Sequence, residues 1–300
     1  MTNLAGTTIG VIGLGLMGKP MARNLAKAGA KLVVNNRSQG VIEELSKEGM
    51  APAATPRAAA EAADVVICML SDTPALEKVL LGEDGVFNAA SLQGKLVIDM
   101  GTSKLLVTRM LAAQAQERGA DYLDAPVSGG TLGAEAGNLT IMAGGTDDAF
   151  ARALPVLHVL GAKITHVGPT GAGQVAKAAN QVIVGLNIGA VAEALSLAQA
   201  AGVDPGKVRE ALGGGFADSR ILEVHGLRMV EGRFTPGARC PIQRKDMDQA
   251  MELAEHLGIE LPATALSRDL YDRVIAAGDG DLDHAGLIRA IRPDWPVNEK

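Results

Sequence analysis

Aromatic residues are nearly missing from this chain: one Trp, two Tyr and four Phe, 2% of 300 residues. Its core must therefore be filled by Ala, Val, Leu, Ile and Met. That suits closely packed helices and α/β layers, and it disfavours an aromatic-rich β-sandwich. Cysteine is scarce too. Cys68 and Cys240 stand far apart with no CxxC pair, so a disulfide-stapled fold is excluded and a reducing, cytoplasmic setting is expected. No excess of positive charge is present. The formal net charge is −6, which opposes nonspecific binding to nucleic acid. His158, His166, His225, His256 and His284 show no metal-ligand spacing, and no metal is expected. The opening residues MTNLAGTTIG lack the charged and apolar regions of a signal peptide. The most apolar run, Val182 to Ala192, is shorter than the ~20 residues that cross a bilayer, so no membrane partner is expected.

What the chain does contain is a balance of 47% hydrophobic and 21% charged residues, with 37 glycines. That is the composition of a soluble globular protein. In the first half, β-branched runs alternate with helical patterns: TIGVIG, KLVVNN, DVVICML and KLVIDM read as strands, with helices such as MGKPMARNLAKAG and KLLVTRMLAAQAQERG between them. NLTIMAGG and KITHVG read as late strands flanking a helix. This alternation predicts a mostly parallel, doubly wound sheet. Beyond Gly168 strand signals nearly vanish, and helical patterns are separated by Gly and Pro, as in DMDQAMELAEHLG. Two domains are expected, 1–168 and 169–300, the second all-helical. The tail RPDWPVNEK reads as a loose terminus.

VIGLGLMG sets Gly13, Gly15 and Gly18 as G-x-G-x-x-G after a strand and before a helix. That context marks a dinucleotide-binding loop, in which Leu14, Leu16 and Met17 share the turn. The second strand ends VVNNRS. NAD-preferring sheets usually place an acid at this strand end to hold the ribose 2′-hydroxyl. Here Asn36 stands in that slot, followed by Arg37 and Ser38. A neutral Asn does not repel a 2′-phosphate, and Arg37 can grip one with its planar fork. NADP, as NADPH, is favoured over NAD.

GAGQVAKAANQVIV opens a long apolar helix on which Gln174, Lys177, Asn180 and Gln181 form one polar stripe. A buried amine is costly unless paired or deprotonated, and desolvation prepares it for proton transfer. Lys177 is therefore the candidate general acid for carbonyl reduction and the general base for the reverse. Cys68, inside a strand, reads as a small core residue.

Four segments in order, GLGLMGKPMARNL, DAPVSGGTLGAEAGNLTIMAGG, GAGQVAKAANQ and KDMDQAM, resemble the β-hydroxyacid dehydrogenase family, which is related to 3-hydroxyisobutyrate and 6-phosphogluconate dehydrogenases. The resemblance implies an α/β Rossmann-type domain with a doubly wound, mostly parallel sheet. An all-α C-terminal domain would follow, joined to it by a long inter-domain helix. By the same resemblance Lys177 is catalytic, and Asn180 holds the substrate beside it. Ser128, Gly129 and Gly130 bind the substrate carboxylate. Leu70 and Thr102 contact the cofactor, and Lys245, oriented by Asp246, reaches the site from the helical domain. The segment from Lys177 to Pro205 looks most like the branch that reduces tartronate semialdehyde to D-glycerate. Other short semialdehydes, a 3-hydroxyisobutyrate-type substrate and a noncatalytic NADPH-binding module are the alternatives. A homodimer or homotetramer is expected. Gly101 and Lys104 in DMGTSKL, and Cys240, Pro241 and Arg244 in GARCPIQRKD, depart from the family pattern.

Overall fold

The computed structural model describes residues 3–298 and divides between Lys177 and Ala178 into two compact units. The first contains β1 (Thr8–Ile12), α1 (Gly18–Lys27), β2 (Lys31–Asn35), α2 (Gln39–Lys47), β3 (Ala51–Pro52), α3 (Pro56–Ala62), β4 (Val65–Cys68) and α4 (Thr73–Leu81). It continues through β5 (Leu96–Asp99), α5 (Leu105–Glu117), β6 (Asp121–Asp124), β7 (Val127–Ser128), α6 (Gly130–Ala136), β8 (Leu139–Gly144), α7 (Asp147–Leu160) and β9 (Gly161–Gly168). A single sheet runs β3-β2-β1-β4-β5-β6-β8-β7, with β9 paired to β8. From β3 to β6 every pairing is parallel. β8 is antiparallel to β6 and β7 and parallel to β9. This is the doubly wound Rossmann-type order.

Strand side chains alternate between two buried layers, as a sheet covered on both faces requires. Ile9, Val11, Val34, Val65, Ile67, Leu96 and Ile98 enter one core. Ile12, Val33, Val66, Cys68 and Val97 enter the other. The helices start where the sequence offers a cap: Thr55, Asp72 and Thr146 accept backbone N–H groups at the starts of α3, α4 and α7.

α8 (Ala172–Ala200) is 29 residues long; it begins in the first unit and continues into the second, so the division falls inside a helix rather than at 168/169. By length and composition α8 also passes as a membrane span. Half of its most apolar window is buried inside the protein, and a single helix of this kind is weak evidence of a membrane span. The second unit adds α9 (Pro205–Leu212), α10 (Arg220–Glu231), α11 (Cys240–His256), α12 (Pro262–Ala276) and a 3₁₀ turn, His284–Ala290. Its core is built by Ile188, Leu195, Met229, Met247, Tyr271, Leu287 and Trp295 among others.

Two readings change. α11 starts at Cys240 rather than Asp246, because Pro241 sits in its first turn, where a missing N–H costs nothing. The tail is not loose through residue 298. Trp295 is buried and donates its indole N–H to the Met229 carbonyl at 2.7 Å, and the Asn298 N–H reaches the Gly232 carbonyl at 2.8 Å. Glu299 and Lys300 lie outside the described residues.

Candidate active site

The three glycines of the first loop meet different surroundings. Gly13 has φ +94°, and a side chain there would run into the Met69 carbonyl and the Leu70 side chain. At Gly18 a side chain would run into the Gly13 carbonyl. Both are demanded by the protein's own packing. A side chain on Gly15 would meet nothing within 4 Å, so the second glycine leaves open the approach that a pyrophosphate needs. No side chain caps the first turn of α1, which leaves the helix start to an anion. Within the loop Leu14 is buried, Leu16 exposed and Met17 half-buried. The Asn36 side-chain oxygen accepts the Leu14 N–H at 3.0 Å, and its amide donates to the Ser38 carbonyl at 3.2 Å. Asn36 thus braces the loop. Arg37 and Ser38 are exposed just past β2.

Leu70 follows β4, and Thr102 follows β5. A side chain on Gly101 would lie 2.8 Å from the Leu70 carbonyl, which explains glycine at this departure from the family pattern. The structure therefore brings the glycine loop, Leu70 and the Gly101–Thr102 turn together at the carboxyl ends of β1, β4 and β5. Neighbouring β1 and β4 form the switch in strand order where such sheets bind ligands.

Lys177 lies in the second turn of α8. It is 7% exposed, and its Nζ donates to the Val127 carbonyl at 2.8 Å. Val127 and Ser128 form β7, followed by Gly129 at φ +138° and Gly130 at φ +61°. Lys177 and the Ser-Gly-Gly turn thus belong to one neighbourhood of the first unit.

Sequence reasoning missed the polar groups beneath this neighbourhood. Asp124, fully buried at the end of β6, accepts the N–H of Gly171 at 2.7 Å and of Gln174 at 2.9 Å. Burial pushes its carboxyl up to about 6, against the pull of those N–H donors. Asp99, buried at the end of β5, accepts the Ser103 hydroxyl at 2.7 Å and the Gly101 N–H at 3.0 Å. The Gln174 side chain accepts the Ser103 N–H and donates to the Gly101 carbonyl, both at 3.0 Å. Gly173 permits close approach to the Met142 carbonyl and to the Asp124 backbone and carboxylate.

In the second unit, the Asn180 amide donates to Gln181 Oε1 at 2.7 Å. Gln181 Nε2 donates to Asp246 Oδ2 at 2.6 Å and Gln243 Oε1 at 3.0 Å, and Lys245 Nζ lies 3.0 Å from Asp246 Oδ1. One network joins Asn180 and Lys245, and Gln243 is a member that sequence reasoning missed. His225, Asp283 and His284 also meet. That carboxylate already serves Arg228 and the N–H groups of Gly237 and Ala285, so its acceptor positions are taken by cations and amides rather than left for a metal. Both cysteines are free and buried, and burial pushes the Cys240 thiol up to about 12.

A doubly wound sheet carrying this glycine loop at its switch point defines an NAD(P)-binding oxidoreductase. The chain belongs to the β-hydroxyacid dehydrogenase family. Residues 8–168 match the family described as the NAD binding domain of 6-phosphogluconate dehydrogenase. Residues 171–291 match that described as NAD-binding of NADP-dependent 3-hydroxyisobutyrate dehydrogenase. The 2-hydroxy-3-oxopropionate reductase of Escherichia coli (strain K12) is 48% identical, covering 94% of this chain and 96% of its own. The NAD-dependent L-serine dehydrogenase of Pseudomonas aeruginosa is 35% identical, covering 95% and 98%. The solved structure of Mycobacterium tuberculosis 3-hydroxyisobutyrate dehydrogenase with L-serine superposes with TM-score 0.86 at 31% identity, covering 95% of this chain and 99% of that one.

Proposed function

We propose that the protein reduces a short β-oxo acid with NADPH, tartronate semialdehyde to D-glycerate first, with Lys177 as the general acid and, in reverse, the general base. The observation that carries this reading is the buried Lys177 amine beside the strand that leads to Ser128, Gly129 and Gly130. A desolvated ammonium stabilises charge developing on a carbonyl oxygen and delivers a proton to it. In this reading Ser128 and the Gly129–Gly130 backbone bind the substrate carboxylate, and Asn180 holds the substrate. The glycine loop and the uncapped start of α1 receive the pyrophosphate, and Arg37 engages the 2′-phosphate. Leu70, Thr102 and Lys245 complete the cofactor contacts. When bound, NADPH supplies the hydride. Tartronate semialdehyde, which is 2-hydroxy-3-oxopropionate, is favoured by the 48% identity to the E. coli 2-hydroxy-3-oxopropionate reductase. A cytoplasmic homodimer or homotetramer belongs to the same reading; the apolar Ile183 and Leu197, exposed on α8, support self-association.

The test follows loss of reduced-nicotinamide absorbance with tartronate semialdehyde, succinic semialdehyde and 3-hydroxyisobutyrate's aldehyde. Turnover is expected to be fastest with the first. Lys177→Ala is expected to lower kcat by ~10²–10⁴-fold with NADPH affinity nearly unchanged. Near-normal turnover in Lys177→Ala ends the lysine assignment. Tight NADPH binding with no turnover of any substrate leaves a noncatalytic module.

A further inference from the structure

The helix that carries Lys177 cannot cap itself. The residue before α8 is Gly171, which has no side chain to offer the N–H groups of the helix start. The acceptor comes instead from Asp124, at the end of a strand 47 to 50 residues earlier, whose two oxygens take the Gly171 and Gln174 N–H groups separately. Such a two-point attachment fixes both the axial position and the rotation of the helix start. A negative charge there also complements the helix dipole. Gly171 and Gly173 allow the fit: Gly171 has φ +91°, and a side chain on Gly173 would lie 2.6 Å from the Asp124 carbonyl. Gln174 adds a second clamp by holding the Gly101 to Ser103 turn. Lys177 is three residues beyond Gln174, on the same helix face.

We propose that Asp124 is a positioning residue: by holding the Gly171 and Gln174 N–H groups it sets where the Lys177 amine stands against Val127 and Ser128. This rests on the reading of Lys177 as the proton donor. In this role Asp124 acts through the helix, by its bonds to the Gly171 and Gln174 N–H groups, rather than by contact with substrate or cofactor. Displacement of a reacting group by about 1 Å can cost ~10²-fold in rate, so the consequence of loosening this cap belongs in kcat.

The test compares full-length wild type, Asp124→Asn and Lys177→Ala with tartronate semialdehyde and NADPH. Asparagine keeps the size but turns an NH₂ group toward one of the two N–H donors. Asp124→Asn is expected to lower kcat by about 10–10²-fold, while KM for the semialdehyde and Kd for NADPH stay near wild type. Wild-type kcat in Asp124→Asn, alongside lost turnover in Lys177→Ala, overturns the positioning role and leaves the lysine reading standing. A lower Tm with unchanged kcat reduces Asp124 to a structural cap and overturns the proposal as well. Unchanged turnover in Lys177→Ala overturns both. Should Asp124→Asn not fold, amide hydrogen exchange in the wild type decides. Protection of Gly171 and Gln174 equal to that of β5 and β6 upholds the clamp, and loop-like exchange at either overturns it.

Discussion

Arg37 is exposed beyond β2 and makes no ion pair among the described residues, whereas several other arginines do. Arg23 bridges Glu44 and Glu48, and Arg289 meets Asp279 at 2.6 Å. An arginine clear of carboxylates beside a neutral Asn36 is what the proposed 2′-phosphate contact requires. Hydrogen bonds to a charged group contribute about 1.5–3 kcal/mol, and an exposed site belongs at the low end, ~tenfold in affinity. Arg37→Ala is therefore expected to raise KM for NADPH about tenfold while barely moving KM for NADH. Equal effects on both cofactors would remove Arg37 from the 2′-phosphate. The measurement has a clear competitor, because the P. aeruginosa relative is named as NAD-dependent.

The strand-to-helix loop separates two kinds of glycine that look alike in sequence. Gly15 has no positive φ and faces open space, so Gly15→Ala should fold with an unchanged Tm yet bind NADPH more weakly. Gly18→Ala presses a methyl group into the Gly13 carbonyl, and overpacking of this kind costs ~1–3 kcal/mol, so its Tm should fall. Calorimetry and cofactor titration of the two variants check the contrast. Gly15→Ala binding NADPH like wild type would sink the assignment of Gly15 to the pyrophosphate. Legibility follows the same line between local and distant causes. β1, β2, β4, β5 and β8 are visible as β-branched runs because a sheet buried on both faces demands them. β3 and β7 have two residues each and leave no pattern. β6 is DYLD, and its acids resemble a loop. Lys177 is noticeable as a charge in an apolar run. Asp124 and Asp99 are not, because what makes them buried acceptors is contact with N–H groups and a glutamine that only folding brings to them.

The two units carry buried aspartates whose proton affinities are shifted in opposite directions. Asp124 in the first unit is pushed up to about 6 by burial. Its folded form binds a proton more readily than the unfolded chain, so between pH 6 and about 4 this group adds stability as pH falls. In the second unit burial alone would raise Asp283. The neighbouring His225, 3.5 Å away, and the charges of His284 and Arg228 outweigh it and hold the carboxyl well below the usual range. Stability from Asp283 is present above about pH 4 and is lost as pH falls from there toward its folded value. Asp283 also holds Gly237, Ala238 and Ala285, so its protonation loosens the α10 to α11 connection and the 3₁₀ turn together. Exposed pairs such as Arg23 with Glu48 are screened by solvent and bear little on the order of events. Acid should therefore open the second unit first. The chain's one tryptophan, Trp295, is buried in that unit against Met229 and reports on it alone. In an acid titration below pH ~4, its emission should shift to the red while the amides of β1 and β4 remain protected from exchange. Asp283→Asn should lower Tm at neutral pH, because breaking a buried ion pair costs about 3–5 kcal/mol, and should flatten that acid response. Loss of β1 and β4 protection at a higher pH than the Trp295 shift would mean that the first unit yields first, and that the opposed carboxyl shifts do not govern the acid limit of this fold.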